Sequence, residues 1–81
     1  MKARVHVFFK DSVFDPQGNA VAGSLKRMGF SKVRDVRMGK AIDVQFENAS
    51  SEEVRRDIAK MCEKLLVNPV IESYKVEILD K

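Results

Sequence analysis

Three features of the sequence predict an α+β sandwich, a single sheet covered on one side by two helices. Residues 2–9 alternate apolar and polar, the mark of a strand with one buried face. From Glu53 to Leu65 runs the only long uninterrupted helical pattern, with Val54, Ile58, Met61, Cys62 and Leu65 along one side. Short runs rich in β-branched residues, bounded by turn formers, supply the remaining strands.

In the first strand Ala3, Val5, Val7 and Phe9 face the core, while Lys2, Arg4, His6 and Phe8 face away. Lys10 to Ser12 turn the chain. Asp15-Pro16-Gln17-Gly18 then opens the first helix, with Asp15 as N-cap and Pro16 at the first helical position, where no backbone donor is missed. Val21, Leu25 and Met28 give this helix its apolar stripe. Gly18, in the first turn, permits a close backbone approach, and Gly29 ends the helix with Phe30 folding back on Leu25 in a Schellman cap. Val33 to Met38 reads as a second strand and Ile42 to Phe46 as a third, joined around Gly39-Lys40. Val36 and Met38 share a face with Ile42 and Val44 only across an odd connection or a bulge, so a loop of three or five residues is expected. Ser50 and Glu53 form a capping box at the start of the second helix. Lys64 falls in its last turn, Asn68 suits a left-handed cap, and Pro69 forbids continuation. Ile71, Tyr74, Val76 and Ile78 make the returning strand, which ends near Leu79.

The element order is therefore βαββαβ. Short connections and right-handed crossovers favour a four-stranded antiparallel sheet in the order 4-1-3-2, with both helices on one face. This is a ferredoxin-like sandwich, a single domain over residues 1–81, whose open sheet face is the natural place for a partner.

A chain of 81 residues buries only roughly 60% of the surface its unfolded form exposes. Cys62 is the only cysteine, so no disulfide reinforces the fold, and a lone thiol suits a reducing compartment. So small a core favours completion by a second copy or a larger partner. Val5 to Phe9 is too short and too broken for a signal peptide, and no apolar run spans a membrane; a soluble, cytoplasmic protein is expected. The net charge of +3 is unevenly spread. Lys26, Arg27, Lys32, Arg34, Arg37 and Lys40 cluster around a single acid, Asp35, whereas Asp43, Glu47, Glu52, Glu53 and Asp57 make the next stretch acidic. Opposed patches fit an adaptor between protein surfaces better than a nucleic-acid binder, although an ordinary solvated surface carries such charges too.

Nucleophilic catalysis needs a base within reach of the nucleophile. Cys62 lies on the apolar helix stripe and His6 on the far face of the first strand, so the two do not meet. One cysteine and one histidine fall short of a metal-ligand set, and Met38-Gly39-Lys40 lacks the glycines of a phosphate loop. No cofactor is expected. RNA-recognition domains of this topology stack bases on exposed aromatics, but the outward positions of the third strand are Asp43, Gln45 and Glu47. An ACT-type regulatory domain, which binds a small effector at the first strand-to-helix junction, is the alternative reading of Asp15 to Gly18.

The run Cys62-Glu63-Lys64-Leu65-Leu66-Val67-Asn68-Pro69-Val70-Ile71-Glu72-Ser73-Tyr74 closely resembles the signature of the PurS family, small subunits of phosphoribosylformylglycinamidine synthase. Asp15-Pro16-Gln17-Gly18 and Asp35-Val36-Arg37-Met38-Gly39-Lys40 resemble its two other landmarks, in order and spacing. The resemblance implies a place in de novo purine biosynthesis. There the complex converts formylglycinamide ribonucleotide, glutamine and ATP to formylglycinamidine ribonucleotide, ADP, phosphate and glutamate. It also implies a catalytically silent dimer that bridges a glutaminase subunit and a large ATP-dependent synthetase subunit during ammonia transfer. On this reading Arg4, His6 and Phe8, or the central hairpin, meet a second copy, or a higher oligomer forms. The Arg37-Gly39-Lys40 corner and Asp15, Pro16, Gln17 and Gly18 remain for the larger subunits.

Overall fold

The computed structural model describes residues 1–79. Strands β1 (Lys2–Phe9), β2 (Gly39–Gln45) and β3 (Glu72–Leu79) form one antiparallel sheet in the order β2-β1-β3. Helices α1 (Pro16–Arg27) and α2 (Ser51–Met61) complete the fold, and α2 runs on into a π-helical turn over Cys62–Leu66.

The alternation of β1 places it at the centre. Val5 stands opposite Ile42 and Val76, and Ala3 opposite Val44 and Ile78, so apolar rows from all three strands share one face. On this face α2 lays Val54 and Ile58, followed by Cys62. Ile58, Val5, Val54 and Cys62 are the largest fully buried side chains. Each is worth about 1.5–3 kcal/mol of apolar burial, and there are few of them. The start of α2 is the capping box that its sequence dictates: Ser50 Oγ accepts from the Glu53 amide at 3.2 Å, and Glu53 Oε1 from the Ser50 amide at 3.3 Å.

The four-stranded sheet is not formed. Val33 to Met38 pairs with no strand, and residues 34–37 take part in no backbone–backbone hydrogen bond among the described residues. Nor is there a hairpin at Gly39-Lys40, because both residues belong to β2, opposite Phe8 and Val7. The reason lies in side-chain parity. Val36, Met38, Ile42, Val44 and Phe46 are all even-numbered, and one uninterrupted extended run puts them on one face without any odd connection.

Both helices do not share the sheet face either. Only α2 packs there; α1 joins no part of the core. Together with residues 29–38 it forms an arm that leaves the sheet where β1 ends. The molecule consequently measures 50 × 28 × 14 Å, with a radius of gyration of 16.1 Å, where a compact chain of this length is expected near about 12 Å. The arm's own geometry is as its sequence predicts: Phe30 N bonds Leu25 O at 3.0 Å, Gly29 N bonds Lys26 O at 3.1 Å, and Gly29 takes φ +105°.

Two smaller corrections concern the end of α2. The π-helical turn, closed by Val67 N on Cys62 O at 3.2 Å, adds a residue to the turn and rotates the stripe. Leu65, placed on the core face by α-helical spacing, is thereby 83% exposed, and Leu66 becomes half-buried instead. Asn68 does not take the left-handed cap; its side chain accepts from Val70 N at 3.1 Å, and its carbonyl receives the amides of Ile71 and Glu72.

Candidate functional site

The sequence-predicted contact residues fall into two places. On the sheet face opposite α2, Arg4 makes a bidentate pair with Asp43, Nε to Oδ1 at 2.7 Å and Nη2 to Oδ2 at 3.1 Å. Lys2 approaches the same carboxylate at 3.9 Å. The Arg4 hydrogen bond holds the Asp43 carboxyl below the usual carboxylate range and raises the guanidinium's own pKa. His6 Nε2 lies 3.1 Å from Glu77 Oε1, and Phe8 stands between Gly39 and Ser73. The open face is thus a lattice of cross-strand charge pairs with one aromatic near its end.

The second place is the root of the arm. Asp15 caps α1 through Oδ1, which accepts from Gly18 N at 2.9 Å. Its other oxygen accepts from Met38 N at 2.6 Å, so one carboxylate joins the start of the arm to its return. These bonds, first that to Gly18 and then that to Met38, hold the Asp15 carboxyl below its ordinary pKa. Arg37 Nη2 donates to the carbonyls of Lys10 at 3.0 Å and Val13 at 2.8 Å. Gly18 has no room for a side chain, since a Cβ there would overlap the Val36 carbonyl oxygen. Pro16 and Gln17 are exposed on the first turn of α1.

The two places touch. His6, Phe8, Arg37, Gly39 and Lys40 line a shallow concavity of about 400 Å³, and Lys40 makes no ion pair among the described residues. Arg4 and the first turn of α1 stay outside it.

Cys62 is fully buried under α2, and burial pushes its thiol pKa up, away from the nucleophilic thiolate. His6 lies on the other side of the sheet. Among the described residues no three His, Cys, Asp or Glu side chains converge on a metal position, and no helix is long and apolar enough to cross a membrane. What the geometry presents is surface for association.

Much of that surface is apolar, including Val21 and Met28 of the stripe that the sequence gives α1. On the arm Val21, Met28 and Phe30 are 37%, 71% and 54% exposed, and Phe14 at its root is 68% exposed. On β2, Ile42 and Val44 face the α2 side but remain half-covered, since no helix lies over that part of the sheet. Among the described residues the outer edge of β2 is unpaired as well. The unbroken even-numbered parity from Val36 to Phe46 was the one signal in the sequence that could have disclosed this.

A sequence profile of PurS, phosphoribosylformylglycinamidine (FGAM) synthase, matches residues 2–80. The phosphoribosylformylglycinamidine synthase subunit PurS of Bacillus subtilis is 44% identical over 77 residues, covering 95% of this chain and 90% of that protein. Among solved structures, Methanocaldococcus jannaschii PurS is described as one of the subunits of formylglycinamide ribonucleotide amidotransferase in the purine biosynthetic pathway. It superposes with a TM-score of 0.84 at 37% identity, over 94% of this chain and 92% of that one. A chain of PurLQS from Thermotoga maritima gives a TM-score of 0.86 at 35% identity, over 96% of this chain and 95% of its counterpart.

Proposed function

This chain belongs to the PurS family of FGAM synthase subunits, which serve purine biosynthesis, and on that premise we propose that it works without chemistry of its own, as a homodimeric spacer within the complex. It bridges the glutaminase and the ATP-dependent synthetase subunits in the cytoplasm, acting as one domain over residues 1–81, and keeps their two centres aligned while ammonia passes. Ammonia released into bulk water is diluted and protonated, so fixed spacing substitutes geometry for a chance encounter.

The observation that carries this reading is the unpartnered arm. An extended segment with unpaired backbone, residues 34–37, and a sheet with an open β2 edge are two halves of a strand pairing. A second copy supplies the missing half, its arm adding a fourth strand beside β2 and laying α1 over Ile42 and Val44. Charge agrees with this placement. An arm laid antiparallel to α2 brings Lys26, Arg27, Lys32 and Arg34 to the end where Glu47, Glu52 and Glu53 lie. Once the arms are exchanged, Arg4, His6, Phe8 and Lys40, with the exposed first turn of α1, stay available to the larger subunits.

Reconstitution tests this. Adding the chain to separate glutaminase and synthetase subunits is expected to restore glutamine-driven turnover while leaving turnover on free ammonia unchanged. Equal glutamine-driven rates with and without it would remove the bridging role.

A further inference from the structure

The root of the arm contains more than a helix cap needs. An N-cap aspartate requires one oxygen on the amide three residues ahead, and Asp15 Oδ1 fulfils that on Gly18. Its second oxygen instead crosses to Met38, the last residue before β2. Next to Met38, Arg37 reaches back to the carbonyls of Lys10 and Val13 in the turn between β1 and α1. The chain passes between sheet and arm only twice, out through residues 10–15 and back through residues 36–39. Three hydrogen bonds tie those passages to each other, and the contact of Val36 with Gly18 closes the space between them. With these bonds in place Asp15 is only 3% exposed.

We propose that Asp15 and Arg37 form a clamp that holds the arm off its own sheet and so selects exchange with a second copy over closure of each copy on itself. This rests on the arm-exchange reading above and extends it from what covers the arm to what aims it. Self-closure requires the chain to reverse at Gly39-Lys40 so that residues 33–38 return along β2. That reversal swings the Met38 amide and the Arg37 guanidinium away from Asp15 and from the Lys10–Val13 turn. All three bonds break, and the second oxygen of Asp15 exchanges a fixed protein donor for water. Exchange keeps every one of them. Because closed and exchanged forms cover the same apolar surface and pair the same edge, a local preference at the hinge decides between them. Asp15 and Arg37 are in this sense positioning residues, acting through the direction of the arm.

The test is sedimentation velocity of the full chain over a dilution series, alongside circular dichroism, for wild type, Asp15→Ala and Arg37→Ala. Wild type is expected to sediment as an assembled species. Each variant is expected to raise the apparent dissociation constant at least about tenfold and to populate a folded monomer with the wild-type spectrum. Wild-type dissociation constants in both variants would overturn the clamp, and so would loss of assembly only in step with loss of the folded spectrum. If Asp15→Ala does not fold, Arg37→Ala, whose side chain is exposed, decides alone. A wild-type chain that is monomeric at every concentration would overturn arm exchange itself, which separates the two outcomes.

Discussion

At the scale of single residues, the root of the arm holds the least replaceable positions. Gly18 is one: adding a methyl group drives it into the Val36 carbonyl, a backbone atom that cannot turn aside. Gly18→Ala is expected to destabilise the chain by about 1–3 kcal/mol in urea titration, the usual scale of overpacking. Asp15 gives a pH signature. Its folded pKa lies below the unfolded value, so its contribution is complete above the ordinary carboxylate range and disappears as pH falls through the folded pKa. Asp15→Asn should therefore be less stable than wild type near neutral pH, and the gap should close as pH falls below the ordinary carboxylate range. A gap that persists unchanged in acid would show that the charge is not what matters. The sequence disclosed half of this residue. Asp-Pro announced the N-cap, but nothing local to Asp15 announces a bond to an amide 23 positions away.

At the scale of elements, β1 and α2 were legible because each is specified by its own residues. Alternation fixed Ala3, Val5 and Val7 as buried, and Ser50 with Glu53 fixed the start of α2. For the segment from Val33 to Met38, composition gives an extended preference without saying whether it joins the sheet, and it does not. The turn after Met61 was missed for another reason. The π-helical turn is closed by Val67 N on Cys62 O, and α-helical spacing carries no trace of it. The rotation it causes is measurable. Ile58→Ala is expected to cost about 2–5 kcal/mol by emptying a filled core site. Leu65→Ala is expected to stay within about 0.5 kcal/mol, as exposed positions do. Comparable losses at the two positions in denaturant titration would restore the regular helix that the spacing suggested.

At the scale of the whole molecule, the elongated shape and the small core have one cause. Helix α1 and the extended residues 33–38 stand on the arm, away from the three-stranded sheet and α2. The family landmarks in the sequence pointed to a synthase subunit, and the family match agrees. What the sequence could not convey was that α1 and residues 33–38 stand off the sheet, since local pattern gives helical and extended preference without placing the elements. The most direct measurement is amide hydrogen exchange at residues 34–37, whose backbone is unpaired within one chain. At concentrations where the chain sediments near twice its 9.2 kDa mass, these amides are expected to be protected nearly as well as those of β1. Fast exchange at 34–37 in a species of doubled mass would contradict arm exchange as the way two copies join.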